Sequence, residues 1–172
     1  MTQALPADAV QEYRGAVPAL IPPTTRLHRQ WLQAHHEWGP GAHEDGFGLH
    51  PSDDVESADG FAAWVAALHQ QSDAVLARRA TCRWIVEDDR VLGGIALRHG
   101  SNEVTDRLGH IGYGVCPSAR GRGIGSWALG EMLVLAARCG MDRGAPGLRV
   151  GQPRLDPHGG AQRRHRRTAP GR

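Results

Sequence analysis

The sequence predicts a mixed α/β domain. Three observations carry that reading: two apolar stripes of helical period in the first half, short strand-like runs after residue 80, and a glycine-rich turn between an apolar strand and a last apolar helix. The 172 residues, 40 % hydrophobic and 22 % charged, suffice for one core of ordinary composition.

The elements follow in order. Residues 1–20 show weak periodicity and are expected to form a flexible N-terminus. Pro22-Pro23 then stiffens the chain, and Thr24 or Thr25 can cap a helix. Leu27, Trp31, Ala34 and Trp38 make its apolar stripe, and Gly39-Pro40-Gly41 ends it. His43 to Asp54 reads as a loop. Ser57 or Asp59 can cap a second helix, whose buried face is Phe61, Trp64, Val65 and Leu68.

Residues 81–87 alternate as a strand, with Cys82, Trp84 and Val86 on one side and Arg83 and Glu87 on the other. Glu87-Asp88-Asp89-Arg90 reads as a hairpin turn. Val91 to Leu97 is a second strand, loosened by Gly93-Gly94. A polar loop from Ser101 to Arg107 leads to a third strand, Leu108 to Val115, which Pro117 breaks. Ser126 to Cys139 is the last helix, with Leu129, Leu133 and Ala136 on one side and Gly140 as its stop.

Several classes are excluded or set aside. No apolar run approaches the ~20 residues that span a bilayer. The N-terminus lacks a basic start followed by an apolar block, so a cytoplasmic protein is expected. Cys82, Cys116 and Cys139 form no CxxC pair, which argues against a disulfide framework or a zinc site. His28, His35 and His36 have no convincing ligand spacing, and no metal is expected.

The chemistry concentrates in Arg120-Gly121-Arg122-Gly123-Ile124-Gly125. Glycines without side chains let an anion approach the backbone. The first amides of the following helix have no intrahelical partners, and its dipole adds roughly half a positive charge there. Arg120 and Arg122 add full charges. The sum is a cradle for a diphosphate. A nucleotide-binding P-loop would need Gly-Lys-Ser/Thr, and the dinucleotide fingerprint is G-x-G-x-x-G; neither is present here.

This segment resembles motif A of the GNAT acetyltransferases, Gln/Arg-x-x-Gly-x-Gly/Ala, with Arg120, Gly123 and Gly125 at those positions. Val115 and Pro117 match the strand end that precedes it. Residues 20–142 are similar to a bacterial group of predicted acetyltransferases. The resemblance implies a GNAT fold with a splayed antiparallel sheet. It implies transfer of an acetyl group from acetyl-CoA to the primary amine of a small molecule or peptide. The backbone at Val115 and Cys116 would pair with the pantetheine arm. Amides from Arg120 to Ser126 would hold the pyrophosphate. For the base, His110 is the first candidate, with a packed histidine as the competing reading; Glu103 is a second candidate. Tyr113 could orient a water or pack. Glu37, Glu44 and Asp45 could attract a cationic amine.

Residues 21–143 are therefore read as an incomplete acetyltransferase domain. After Arg143 the resemblance implies another strand, a polar turn with Asn and a final helix. Residues 144–172 are instead rich in Arg, Gly and Pro, without apolar periodicity, and read as a disordered tail. They hold seven Arg and one Asp, close to +6, so with a net charge of +2 the rest carries −4. A nucleic-acid arm is one reading, weakened by the absence of interleaved aromatics. A frameshift is another. Codons permitted for Gly144 to Arg167, read without the first G, can spell VLLVCASDNLASIRTVERNGGIVE, which resembles the missing continuation. A chain so altered is expected to be poorly stable and weakly active. A non-catalytic acyl-CoA-binding module is the remaining alternative.

Overall fold

The computed structural model describes residues 17–39, 46–73, 79–100 and 102–141. The basic segment 144–172, with the frameshift reading that concerns it, and Glu44 and Asp45 lie outside the described residues. No described helix is long and apolar enough to cross a membrane.

Among the described residues, four antiparallel strands form one sheet in the order β1 (Ala19–Ile21), β2 (Ala80–Glu87), β3 (Arg90–Arg98) and β4 (Ile111–Val115). Strand β1 corrects part of the expectation of a flexible stretch over 1–20: Ala19 pairs with Val86, Leu20 with Ile85 and Ile21 with Trp84. Three residues carry little period-two signal, and their partners lie far along the chain. The β2–β3 hairpin turns at Asp88-Asp89, where Asp88 takes a left-handed φ of 53° that aspartate tolerates better than most residues.

Helix α1 (His28–Glu37), entered through a 3-10 turn at Thr25–Leu27 that Thr24 caps, packs with α2 (Ala58–Ser72) on one face of the sheet. Ser57 caps α2 by accepting from the Gly60 N–H. The core here is aromatic. The Trp31 ring centroid lies 4.8 Å from Trp64, 5.3 Å from Phe47 and 5.4 Å from Phe61, and Trp84 closes the cluster from β2. Leu27, Trp31 and Ala34 of the first predicted stripe and Phe61, Trp64, Val65 and Leu68 of the second are buried in it, whereas Trp38, the last of the first stripe, is only partly buried.

Helix α4 (Ile124–Arg138) covers the other face. Its buried side is Ile124, Ala128, Met132 and Ala136, whereas Leu133 is 39 % exposed. Of the expected stripe Leu129, Leu133 and Ala136, Ala136 is buried and Leu129 packs partly buried against the core, and only Leu133 turns outward, because this helix is apolar on most of its circumference. The Ser101–Arg107 stretch, read as a loop, contains a further helix, α3 (Glu103–Leu108). Asn102 and Thr105 start it reciprocally: the Thr105 N–H donates to Asn102 Oδ1 at 3.0 Å, and the Asn102 N–H donates to Thr105 Oγ1 at 2.8 Å.

Gly94 does not loosen β3. A Cβ there would lie 2.6 Å from the Phe47 ring, so its bare backbone admits the Gly46-Phe47 loop onto the sheet. One residue earlier, β3 bulges: Ile85 pairs with Gly93 but Val86 pairs with Val91. The extra residue reverses the alternation, so Val91 and Ala96 share the aromatic face while Leu92, Ile95 and Leu97 face α4.

Candidate functional site

Strand β4 runs out at Val115, passes through a 3-10 turn at Pro117–Ala119 and reaches α4 through Arg120–Gly123. Gly121 (φ 77°) and Gly123 (φ 75°) are both left-handed, and a Cβ on either would meet nothing within 4 Å. The side of the turn that these glycines face is open. Gly123 is the N-cap of α4 and supplies no side-chain cap, unlike Ser57 on α2. The first intrahelical bond runs from the Trp127 N–H to the Gly123 carbonyl at 3.0 Å. The amides of Ile124, Gly125 and Ser126 precede it and point out of the helix end. Gly125 has another role: a Cβ there would lie 3.1 Å from the Tyr113 ring and 3.6 Å from Val115 Cγ2, so its absence lets α4 start close against β4.

Both arginines of the turn are engaged. Arg120 Nε donates to the Val115 carbonyl at 3.0 Å, and its guanidinium lies 5.1 Å over the Trp38 ring. Arg122 donates to Glu87 Oε1 at 2.6 Å. The expectation of two uncompensated cations is therefore corrected for Arg122, whose charge Glu87 offsets. The main-chain amides, the helix end and the Arg120 guanidinium remain to attract an anion.

Strand β4 is the edge of the described sheet. The Cys116 N–H donates inward to Leu92 O at 2.8 Å, and the Arg98 N–H donates to His110 O at 2.7 Å. Main-chain groups of an antiparallel strand alternate, so those of Ile111, Tyr113 and Val115 point to the other edge. Val115 thus turns its main-chain groups to that edge, where its carbonyl accepts from Arg120 Nε. Cys116 turns inward: its N–H donates to Leu92, and its carbonyl accepts from Ala119 at 2.9 Å. Its thiol is buried against Ala34 O and Val91 O, and burial pushes it up to about 12.

His110 does not stand on the strand, which begins at Ile111. It is buried in the turn before it, at the end of β4 away from the glycines. Tyr113 packs partly buried against the start of α4, and Glu103 is exposed in the first turn of α3. Glu37 ends α1, and both its oxygens are occupied by Ser118: one accepts from the Ser118 N–H, the other from the hydroxyl at 3.0 Å. Sequence reasoning missed Ser118, Trp38 and Glu87 as supports of the turn. Their partners are distant in sequence, and no local pattern announces them. Among the described residues no group of three His, Cys, Asp or Glu could hold a metal ion.

The site thus combines an open glycine turn, an uncapped helix start and a strand edge leading into it. That arrangement can hold a diphosphate and align an extended chain along β4. A model of the acetyltransferase (GNAT) family matches residues 44–149, which include β2 to α4 and the whole turn. No curated protein and no solved structure matches the chain.

Proposed function

The chain belongs to the GNAT acetyltransferase family, and on that premise we propose that it transfers an acetyl group from acetyl-CoA to a primary amine. The observation that carries the reading is the turn itself: left-handed Gly121 and Gly123 with open space before them, leading into an uncapped α4. Amides from Gly121 to Ser126 hold the pyrophosphate; that of Arg120, first in the expected run, donates to Pro117 O instead. The outward N–H of Val115, whose carbonyl Arg120 already engages, pairs with the pantetheine arm, which places the thioester along the edge of β4.

The amine nitrogen attacks the thioester carbonyl carbon directly. An outward N–H of β4 steadies the negative oxygen that forms. The C–S bond then breaks, coenzyme A departs as its thiolate, and the nitrogen gives up one proton to a base, from which it passes on to the sulfur to give the free thiol. We assign that proton to His110, the titratable side chain immediately ahead of β4. The acceptor approaches from the layer of α1, α2 and the Gly46-Phe47 loop.

The test is calorimetric titration of the full chain with acetyl-CoA, followed by thiol release with a panel of amines. Saturable binding, weakened by Gly123→Asp, is the expected result. A chain that does not bind acetyl-CoA would sink the reading.

A further inference from the structure

We infer that Glu37 is a positioning residue for the coenzyme turn, acting through Ser118. The inference rests on the reading of that turn as the diphosphate site.

Gly121 and Gly123 have no side chains, and the space where one would stand is open, so no side chain at either position fixes the turn and its flanks do that work. Downstream, Arg122 is anchored on Glu87. Upstream, two consecutive residues at the end of α1 do the same work. Glu37 takes both the N–H and the hydroxyl of Ser118 on its two oxygens. Trp38 carries the Arg120 guanidinium at 5.1 Å, while Arg120 Nε is fixed on Val115 O. Positions 118 and 120 are thus held by positions 37 and 38, across 81 residues of chain in the Glu37–Ser118 case.

Charge sharpens the argument. A carboxylate beside an anion site repels the ligand, so Glu37 on its own would weaken coenzyme binding. Its oxygens face Ser118, upstream of the glycines, and leave the amides of the α4 start untouched. A turn held in its binding shape before the ligand arrives loses less freedom on binding. The structure assigns Glu37 to that task rather than to attraction of a cationic amine.

The test uses the full chain with Glu37→Ala and Glu37→Gln, coenzyme A as the titrant, and hydrogen exchange of segment 117–126 without ligand. Loss of two hydrogen bonds to a charged acceptor should weaken coenzyme A about tenfold in Glu37→Ala and speed exchange across the turn. Glu37→Gln keeps one acceptor oxygen and should stay within about threefold of the parent. Melting should fall by no more than about 4 °C, because the pair is exposed. Unchanged affinity with unchanged exchange would overturn the inference. So would tighter binding, which would make Glu37 a mere repulsive charge, or a loss that only tracks a large fall in melting temperature. If the parent chain itself fails to bind coenzyme A, the functional reading fails, and turn exchange alone decides whether Glu37 holds the turn.

Discussion

Arg122 donates to Glu87 Oε1 at 2.6 Å and thereby ties the glycine turn to the last residue of β2. The two ends of this pair differ in exposure: the Glu87 side chain is 11 % exposed and that of Arg122 47 %. Arg122 can still reach solvent, while Glu87 sits at the foot of the turn and gives it a fixed point. The hydrogen bond from Arg122 is the main reason the Glu87 carboxyl stays below the usual glutamate range, against the opposing effect of its burial.

That depression gives a pH signature. A carboxylate with a lowered folded-state pKa contributes stability above its unfolded value of about 4.3, and the contribution is lost as pH falls through the folded value. Solvent screening at the half-exposed Arg122 limits the pair to about 0.5–1 kcal/mol. Glu87→Gln should therefore lower the melting temperature by about 2–4 °C at pH 7. The difference should shrink as pH falls below about 4.3 toward the lowered folded-state value. A gap that stays constant down to pH 3 would show that the carboxylate charge is irrelevant.

Gly123 and Gly125, two residues apart, should fail differently when replaced by alanine. At Gly123 a methyl group meets nothing but must sit at φ 75°, a strain of about 1–2 kcal/mol. At Gly125 φ is ordinary, but the methyl would press on the Tyr113 ring at 3.1 Å. Forcing α4 off β4 costs about 1–3 kcal/mol. Adding Tyr113→Ala should rescue Gly125→Ala and leave Gly123→Ala unrescued. Chemical denaturation of the single and double variants measures this directly, and equal rescue of both would refute the distinction.

The thiols give a third check. Burial raises Cys82 to about 11 and Cys116 to about 12, while Cys139 is partly exposed. The thiolate is the reactive form, and at pH 8 a thiol of pKa about 12 is ionised to roughly one part in 10⁴. Iodoacetamide at pH 8 should label Cys139 in the native protein and all three cysteines after denaturation. Rapid native labelling of Cys116 would mean that the α1–β4 contact opens readily.

Much of this fold was legible because it is written in side-chain periodicity. Trp31, Phe61 and Trp64 were read on apolar faces from spacing, and all three are buried; Trp38, on the same stripe as Trp31, is only partly buried. Strand β1 was not legible, because three residues that pair with Val86, Ile85 and Trp84 carry no local signature. Helix α3 had a signal in Asn102 and Thr105, but its helix is too short to show a stripe. The glycine turn could be read from its residues. Its supports could not, since Glu37 with Ser118 and Glu87 with Arg122 meet only once the sheet has formed.

His110 separates chemistry from packing. If it removes the proton from the amine, His110→Ala should lower kcat about 100-fold and leave coenzyme affinity unchanged. If it only fills the turn before β4, where it is 5 % exposed, melting should fall and kcat should hold. Measuring kcat, coenzyme affinity and melting on one preparation distinguishes the two.

The shifted-frame reading of residues 144–167 makes a prediction about the gene and one about the protein. The family match ends at residue 149, inside the basic segment, although the resemblance implies a further strand, an Asn-containing turn and a final helix. On α4, Leu133 and Val134 stand 39 % and 50 % exposed, apolar side chains that a covering element would shield. Sequencing across the Arg143 codon should reveal one surplus G. The protein expressed from the restored frame should then melt higher and bind acetyl-CoA more tightly. Burial of a strand and a helix at ~25 cal/mol per Å² contributes several kcal/mol net, which corresponds to a rise of about 10 °C or more. An intact frame without a run of G at that codon, or a restored-frame protein that melts no higher than the present chain, would remove the reading.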